Sequence, residues 1–323
     1  MQKVLTAAEM RENAAEWLRT SQFSSDSYKT KRGHILIIAG SETYSGAAVL
    51  AANAAARSGV GLVTVGTPRS SKDSVASRVL PEVMVRGLSE TAGGAVSDSA
   101  IGEVEELVAK ADAIAIGCGL GSAESETREF VKYFVANLTV PTILDADALN
   151  LIAPMNKPAR EQGRDQPTDE NALAHARAYA EDAPFILMPH EGEFLRLLGT
   201  NDKNAIKDRV SAVREFSQKY NAILVLKGER VLIGEPCGKV VVNPTGNSGL
   251  GKAGNGDTLA GILAGFVAQA AVMNIDIFET VVAAVYIAGM AGDIAEKKFG
   301  KRVMTASDVR ECLTDAFREF ETV

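Results

Sequence analysis

The chain has 323 residues, of which 46% are hydrophobic, and a formal net charge of −7. The acidic balance argues against a nucleic-acid partner, which needs a basic face, and the length fits one large α/β domain or two small ones. Cys118, Cys237 and Cys312 are too far apart for a disulfide framework or a zinc site, so we expect a reducing, cytoplasmic location.

Two stretches bear on targeting. Residues 1–30 predict a helical extension and have no apolar core of the kind found in signal peptides. The run from Thr258 to Ile275 is apolar enough to raise the question of a membrane span, but Gln269 and Asn274 interrupt it. We therefore predict a buried helix of an α/β core there, and no membrane partner.

The first strand–helix–strand unit sets the predicted architecture. His34–Ala39 is a continuous apolar run, which favours a parallel strand buried on both faces. Ser45–Arg57 predicts a helix and Leu62–Val65 the next strand, so the chain opens as an α/β fold with a doubly wound sheet. Later elements follow the same patterns, with strands at Glu82–Val85, Ala113–Ile116, Thr142–Leu144, Phe185–Met188, Ala222–Leu226, Val231–Ile233 and Lys239–Val242, and helices at Val210–Tyr220, Asp257–Val272, Phe278–Lys297 and from Thr305.

The alternation of strands and helices continues without a linker or an internal repeat. We therefore predict a single domain over residues 1–323. The segment 154–182 is polar and nearly free of large apolar residues, which predicts a surface insertion ending in a short helix.

Several predicted strands end in turns that carry glycine or polar side chains, and in an open parallel sheet these ends meet at the edge that binds ligands. Tyr44 and Ala47 follow the first strand, and Tyr44 is equally well read as a surface aromatic. Asp145 and Asp147 could hold magnesium, orient a substrate or cap the helix that starts at Ala148. The cap is the expected role of Asp147, and Asp145 is the better functional candidate because it lies nearer the strand tip. The turns are GSETYSGA, GCGLG, DADALN, PHEGE and KGE.

The stretch Asn243–Gly265 concentrates five glycines in front of Asp257 and an apolar helical run. Glycine permits a positive φ and a close approach of the backbone to a ligand. A helix that starts near Gly256 would aim its free N–H groups and its positive dipole end at a bound anion. The stretch therefore predicts an anion site with a carboxylate beside it, and the plain alternative is a glycine-rich loop capped by Asp257.

Three glycine patterns fit this stretch. Gly246–Lys252 matches G-x-x-x-x-G-K, but Ala253 stands where a P-loop needs a hydroxyl for magnesium. G-x-G-x-x-G also matches, but a dinucleotide fingerprint belongs in the first βαβ unit. The third pattern, G-x-G-D at a helix start, is that of ribokinase-type sugar and vitamin kinases. With Lys227 to hold a nucleotide and Asp257 to accept a hydroxyl proton, it predicts phosphoryl transfer with Mg2+ bound through phosphates and waters.

Six motifs in order, over about residues 33–270, resemble the ADP- or ATP-dependent NAD(P)H-hydrate dehydratases. They are GHILIIAGSETYSGAAVLAANAAARSGVGLVTVGTP, GCGLG, DADALNLIA, PHEGEFLRLLG, LVLKG and NPTGNSGLGKAGNGDTLAGILAG. The resemblance implies a ribokinase-like three-layer αβα sandwich with a mostly parallel central sheet. It also implies cofactor repair: (S)-NADHX or (S)-NADPHX is phosphorylated on its ring hydroxyl by ADP or ATP, and elimination of phosphate restores NADH or NADPH.

The resemblance also implies roles for individual residues. Asp257 matches the Asp beside the substrate hydroxyl, and Ala47, Gly119 and His190 match positions that line the hydrated dinucleotide. Tyr44 and Asp145 join them as substrate-side candidates because of their strand ends. The positions implied for the adenine nucleotide are Lys227, Gly228, Glu229, Arg230, Val231, Gly254, Asn255 and Gly256.

The chain departs from the family pattern at two of these motifs. Glu191 stands where the family usually has Pro, and Ala253 stands where it usually has Gly. Glu191 adds a negative charge beside a polyanionic ligand, so we expect it to weaken substrate binding. Relatives commonly form tetramers, so a homotetramer is expected, and a separate epimerase is expected to supply the S epimer.

Two other functions remain compatible with the same motifs. One is a ribokinase-fold small-molecule kinase that acts on an alcohol, and the other is a non-catalytic nucleotide-binding module. Analysis of the product distinguishes the kinase from the dehydratase. Loss of turnover with retained nucleotide binding in the variant Asp257→Asn would distinguish either enzyme from the non-catalytic module.

Overall fold

The computed structural model describes residues 6–137, 139–155 and 184–321. Most of the predicted insertion at 154–182 lies outside the described residues, as do residues 1–5 of the predicted N-terminal extension. The described chain has one mostly parallel sheet between two layers of helices, which confirms the predicted three-layer αβα sandwich.

The strands of the sheet are β1 (His34–Ile38), β2 (Leu62–Pro68), β3 (Met84–Leu88), β4 (Ala113–Ile116), β5 (Thr142–Leu144), β6 (Phe185–Leu187), β7 (Ile223–Leu226), β8 (Leu232–Gly234) and β9 (Val240–Val242). Their order across the sheet is β3-β2-β1-β4-β5-β6-β7-β8-β9. Neighbours from β3 to β7 pair in parallel, and β7, β8 and β9 pair antiparallel, in agreement with the predicted hairpin-like pair.

The helices are α1 (Ala7–Thr20), α2 (Ser45–Ala56), α3 (Lys72–Ala76), α4 (Ile101–Val108), α5 (Ser125–Asn137), α6 (Ala146–Ile152), α7 (Glu191–Leu197), α8 (Arg209–Tyr220), α9 (Asn255–Met273), α10 (Ile277–Phe299), α11 (Ala306–Glu311) and α12 (Leu313–Glu321). Side chains of α1–α3 and α9–α12 share a core with one face of the sheet. Side chains of α4–α8 share a core with the other face.

The first strand shows why the sheet is buried on both faces. Ile35 and Ile37 belong to the core on one side of β1, and Leu36 and Ile38 belong to the core on the other side. All four side chains are buried. A strand that packs on both faces favours apolar residues at successive positions, which is why a continuous apolar run predicted it.

The helices α2 and α9, which frame the site described below, pack closely because small residues face each other. A Cβ on Gly261 would collide with the carbonyl oxygen of Ala51, and one on Gly265 would collide with the Ser58 side chain. Interhelical distance depends on the side chains at the contact, so these glycines bring α9 close to α2. The N-terminus of α9 thereby reaches the carboxyl edge of the sheet.

By length and composition alone, α9 and α10 are long and apolar enough to span a membrane. In this fold 67% of the apolar window of α9 and 72% of that of α10 are buried, as predicted for the run that became α9. The predicted N-terminal helix, α1, covers them. Trp17 of α1 stacks on Phe266 of α9 with 4.1 Å between ring centroids, and its Nε1 donates to Thr280 Oγ1 of α10 at 3.0 Å.

Candidate active site

The carboxyl edge of the sheet brings distant parts of the sequence into one charged cluster. Lys227, directly after β7, reaches Asp145, directly after β5, with 2.5 Å between Nζ and Oδ1. The same Nζ lies 3.7 Å from the place where a Cβ on Gly256 would be, in the first turn of α9. The strand ends and the glycine-rich turn therefore form a single site, as the parallel topology predicted.

Lys227 lies between two carboxylates. Its Nζ is 2.5 Å from Asp145 Oδ1 and 3.9 Å from Glu193 Oε2, and its side chain is 18% exposed. Burial alone would lower the pKa of Lys227, but the two carboxylates outweigh burial and hold that pKa above its ordinary value. Lys227 therefore keeps a positive charge beside the start of α9.

Of the two aspartates after β5, the one that caps the following helix is not the one predicted. Asp145 caps α6, because its Oδ1 accepts a hydrogen bond from the Ala146 N–H at 2.8 Å. Asp147 instead accepts from the Gly121 N–H at 2.9 Å and ties the GCGLG turn to α6. The prediction that Asp147 caps the helix is wrong because the chain turns at Ala146, with φ +48°, and the helix starts two residues before Ala148.

His190 is the N-cap of α7, and the helix fixes its ring. Its Nδ1 accepts hydrogen bonds from the N–H groups of Gly192 at 3.0 Å and Glu193 at 3.3 Å, so the ring proton is on Nε2. Burial first, and then the charges of Lys227 and Arg196, lower the pKa of His190. The ring is therefore neutral near pH 7. Its Nε2 lies 3.4 Å from Glu193 Oε1, and the side chain is 55% exposed.

Glu193 is part of the cluster, although the sequence analysis did not select it. It is 5% exposed, its Oε2 accepts from the His190 N–H at 2.8 Å, and it lies near Lys227. Burial raises the pKa of Glu193. Glu193 and His190 form a capping box, but the sequence did not mark it, because such a box normally begins with Ser or Thr.

Asp257 faces the cluster from the first turn of α9. Burial is the main cause that raises the pKa of Asp257, and the charge of Asp145 adds to it. A hydrogen bond from Cys118 and the charge of Lys227 act in the opposite direction. Burial also raises the pKa of the Cys118 thiol well above its usual range, so the thiol stays protonated. A carboxylate with a raised pKa is a better proton acceptor, which suits a general base.

The glycine-rich turn has the geometry of an anion site. Gly254 is the left-handed N-cap of α9, with φ +88°, and a Cβ there would lie 2.7 Å from Leu50 Cδ1. Glycine provides no side chain to cap the helix, so the first N–H groups of α9 are presented to a ligand. The helix begins at Asn255, before the predicted start at Asp257.

The contacts of Lys252 distinguish this turn from a P-loop. Its Nζ donates to the carbonyl oxygens of Arg302 at 2.6 Å and Met304 at 2.8 Å. The ammonium is therefore committed to the turn after α10. A P-loop lysine, in contrast, binds the phosphates of its nucleotide.

On the substrate side, the turns after β1 and β4 touch each other. Gly119 has φ +64°, and a Cβ on it would lie 2.8 Å from the Cβ atoms of both Ala47 and Tyr44. Glycine is needed there because the backbone takes a left-handed conformation in a confined space. Tyr44 is 56% exposed, so its ring is accessible to a ligand.

The segment predicted for the adenine nucleotide, residues 227–231, adjoins the glycine-rich stretch. Arg230 Nη1 donates to the carbonyl oxygen of Pro244 at 3.3 Å, and the Asn243 N–H donates to the Val231 carbonyl oxygen at 2.8 Å. Gly228, Glu229 and Arg230 are exposed. The segment and the anion turn are thus connected parts of one surface.

Glu191, the departure in PHEGE, is paired with a cation. Its Oε1 lies 3.3 Å from Nε of Arg209, the first residue of α8. The pairing could not be read from the sequence, because the two residues belong to different helices. The added negative charge, which was expected to weaken binding of a polyanion, is therefore balanced locally.

Comparisons with known proteins show which family the chain resembles. The family model for NAD(P)H-hydrate dehydratase matches residues 35–315. A bifunctional NAD(P)H-hydrate repair enzyme of Moorella thermoacetica is 35% identical over 309 residues, which are 95% of this chain and 54% of that protein. The ADP-dependent (S)-NAD(P)H-hydrate dehydratase of Neisseria meningitidis is 32% identical over 275 residues, which are 85% of this chain and 81% of that protein.

Among solved structures, the chain is similar to the ADP/ATP-dependent NAD(P)H-hydrate dehydratase of Bacillus subtilis, co-crystallized with ATP/Mg2+. The TM-score is 0.75 at 27% identity, and 99% of each chain is covered. The chain spans about half the length of the bifunctional relatives, as in the 54% covered in Moorella thermoacetica. The match over residues 35–315 shows that this chain belongs to the NAD(P)H-hydrate dehydratase family.

Proposed function

We propose that this protein dehydrates (S)-NADHX and (S)-NADPHX to NADH and NADPH at the expense of ADP or ATP. The observation that carries the proposal is the cluster in which Lys227 lies beside Asp145 and the first turn of α9, which contains Asp257. A fixed cation, a helix N-terminus and a carboxylate with a raised pKa are the groups that phosphoryl transfer to a hydroxyl needs.

In the proposed reaction, Asp257 accepts the proton of the ring hydroxyl as its oxygen attacks the terminal phosphoryl group. The bond from that phosphorus to the bridging oxygen of the nucleotide breaks, so ATP leaves as ADP, or ADP as AMP. Lys227 and the N–H groups at the start of α9 stabilise the charge on the transferring group. The phosphorylated ring then loses phosphate and a proton from the neighbouring carbon, which restores the dihydropyridine.

Two subsites follow from this assignment. We assign the hydrated dinucleotide to Ala47, Gly119 and His190, with Tyr44 and Asp145 beside them. The nucleotide is assigned to residues 227–231 and 254–256. Support comes from the exposed His190 side chain beside the cluster, and from the left-handed Gly254 cap, which presents backbone N–H groups to phosphate.

We propose that Mg2+ is bound through nucleotide phosphates and waters. The described residues contain no group of three or more His, Cys, Asp or Glu side chains arranged to hold a metal. Asp145 already pairs with Lys227 and caps α6. Mg2+ usually keeps several waters and binds substrate phosphates, so it does not need a cluster of protein ligands. When bound, the ion would neutralise phosphate charge during transfer.

Several broader features also remain proposals. A separate epimerase would convert the R to the S epimer, and the chain would act in the cytoplasm as a homotetramer. The continuous sheet supports treating the described chain as one domain.

The test is to incubate the protein with Mg2+, (S)-NADHX and either ADP or ATP, and to follow the absorbance of the reduced nicotinamide. Regeneration that depends on a nucleotide is the expected result. If neither nucleotide supports regeneration while a phosphorylated alcohol accumulates from other substrates, the protein is a kinase of the same fold. Nucleotide binding without any turnover would instead indicate a binding module.

A further inference from the structure

Arg209, the first residue of α8, lies between two turns of the proposed site. A Cβ on Gly228 would be 2.5 Å from Arg209 Nη2, so the guanidinium occupies the space beside the nucleotide segment 227–231. On its other side, Arg209 Nε is 3.3 Å from Glu191 Oε1. Arg209 therefore contacts the turn after β7 and the start of α7.

The guanidinium is poorly satisfied in this position. Within the described part of the chain, its Nε and Nη2 are buried and have no hydrogen-bond acceptor. The Glu191 side chain is 53% exposed, so solvent screens the ion pair. Buried donors without acceptors cost stability, and an apolar residue of similar size is often at least as stable at a buried ionic position. Stability alone therefore does not account for an arginine here.

We propose that Arg209 is a positioning residue for the nucleotide segment 227–231. Its guanidinium supports the turn at Gly228, and Glu191 holds the guanidinium in place. The inference rests on the proposed function, since it takes residues 227–231 as the nucleotide segment. It also gives Glu191 a role: the residue that replaces the usual Pro of the family fixes Arg209 instead of repelling the ligand.

The variant Arg209→Met tests the proposal, with Arg214→Met as the matched control. Arg214 lies on the same helix, and its Nε donates to the Gly238 carbonyl oxygen at 3.1 Å. Both variants remove one positive charge from a chain of net charge −7. Calorimetric titration with ADP and Mg2+ gives the Kd, and thermal unfolding gives the Tm.

Arg209→Met is expected to raise the Kd for ADP about tenfold without lowering the Tm. Arg214→Met is expected to leave that Kd unchanged. Unchanged affinity of Arg209→Met for ADP would overturn the proposal. A loss of affinity that comes with a lower Tm would also overturn it, because Arg209 would then support the fold in general.

Wild-type binding separates this proposal from the function on which it rests. If the wild type binds neither ADP nor ATP, the proposed function fails and this inference fails with it. If the wild type binds ADP and Arg209→Met binds it equally well, only the inference fails.

Discussion

At the scale of single residues, the site is a cluster of interacting charges in which one cation lies among three carboxylates. Lys227 lies between Asp145 and Glu193, and Asp257 faces them from α9. Burial is the first cause of the raised pKa values of both Asp257 and Glu193. Charged groups are costly to bury, and perturbed pKa values of this kind are typical of functional sites.

Asp257→Asn tests the raised pKa of Asp257 through stability. Its pKa is higher in the folded than in the unfolded chain, so the native state holds more protons between the two values. Wild-type stability should therefore fall as pH rises through that window, which begins at the ordinary pKa of Asp, about 4. Asparagine does not titrate, so the Tm of the variant relative to wild type should increase over the same range. A constant Tm difference from pH 4 to 7 would show that burial does not perturb Asp257.

Lys227→Met tests the charge balance of the cluster. The substitution leaves Asp145 and Glu193 buried without their cation, and we expect a loss of about 3 kcal/mol in the free energy of unfolding. Lys239→Met is the control, because its pair with Glu279 is more exposed, at 30% and 39% of the two side chains, and should cost less than about 1 kcal/mol. Urea denaturation measures both values, and equal losses would mean that Lys227 is not the cation on which the buried carboxylates depend.

At the scale of elements, the position of α9 decides whether the anion turn meets the strand ends. Gly261 and Gly265 let α9 approach α2 so closely that side chains at these positions would collide with Ala51 and Ser58. The same helix is covered on its outer side by Trp17 of α1. Close packing along the helix therefore holds its N-terminus, and the proposed base, at the edge of the sheet.

Gly261→Ala tests this packing against Gly102→Ala. Alanine stabilises a helix interior relative to glycine by up to about 1 kcal/mol, and we expect a smaller gain at Gly102, which lies in the first turn of α4 and where a Cβ meets nothing within 4 Å. At Gly261 the new Cβ meets backbone atoms of Ala51, which cannot rotate away, so we expect a loss of about 2 kcal/mol. Urea denaturation measures both effects, and a gain at Gly261 would contradict the close approach of α2 and α9.

The sequence predicted the strands well because each is a short apolar run that ends in glycine or polar residues. β3 was placed too early, at Glu82–Val85 instead of Met84–Leu88, because this edge strand is partly exposed and its apolar pattern is weak. The start of α7 was not predicted from PHEGE, because the N-cap of this helix is His190, which is not one of the usual capping residues. Asp147 was wrongly expected to cap α6, because nothing in the sequence marks Ala146 as left-handed.

At the scale of the whole molecule, the function is carried by several strand ends and not by one motif. β1, β4, β5, β6 and β7 all direct their following turns to one edge, and β8 and β9 deliver the glycine-rich stretch to the same place. Topology made this convergence predictable from the order of strands and helices. Pairs that depend on side-chain packing between elements, such as Arg209 with Glu191 and Cys118 with Asp257, could not be predicted in that way.

The most direct test of the account measures inorganic phosphate and reduced nicotinamide together, with (S)-NADHX, ADP and Mg2+, for the wild type and Asp257→Asn. The wild type should release one phosphate for each NADH formed, because phosphorylation precedes elimination. Asp257→Asn should retain ADP binding and lose both products together, by a factor of about 10² to 10⁴. NADH formation by Asp257→Asn at the wild-type rate would contradict the role of Asp257 as the base. NADH formed without release of phosphate would contradict the phosphorylation step.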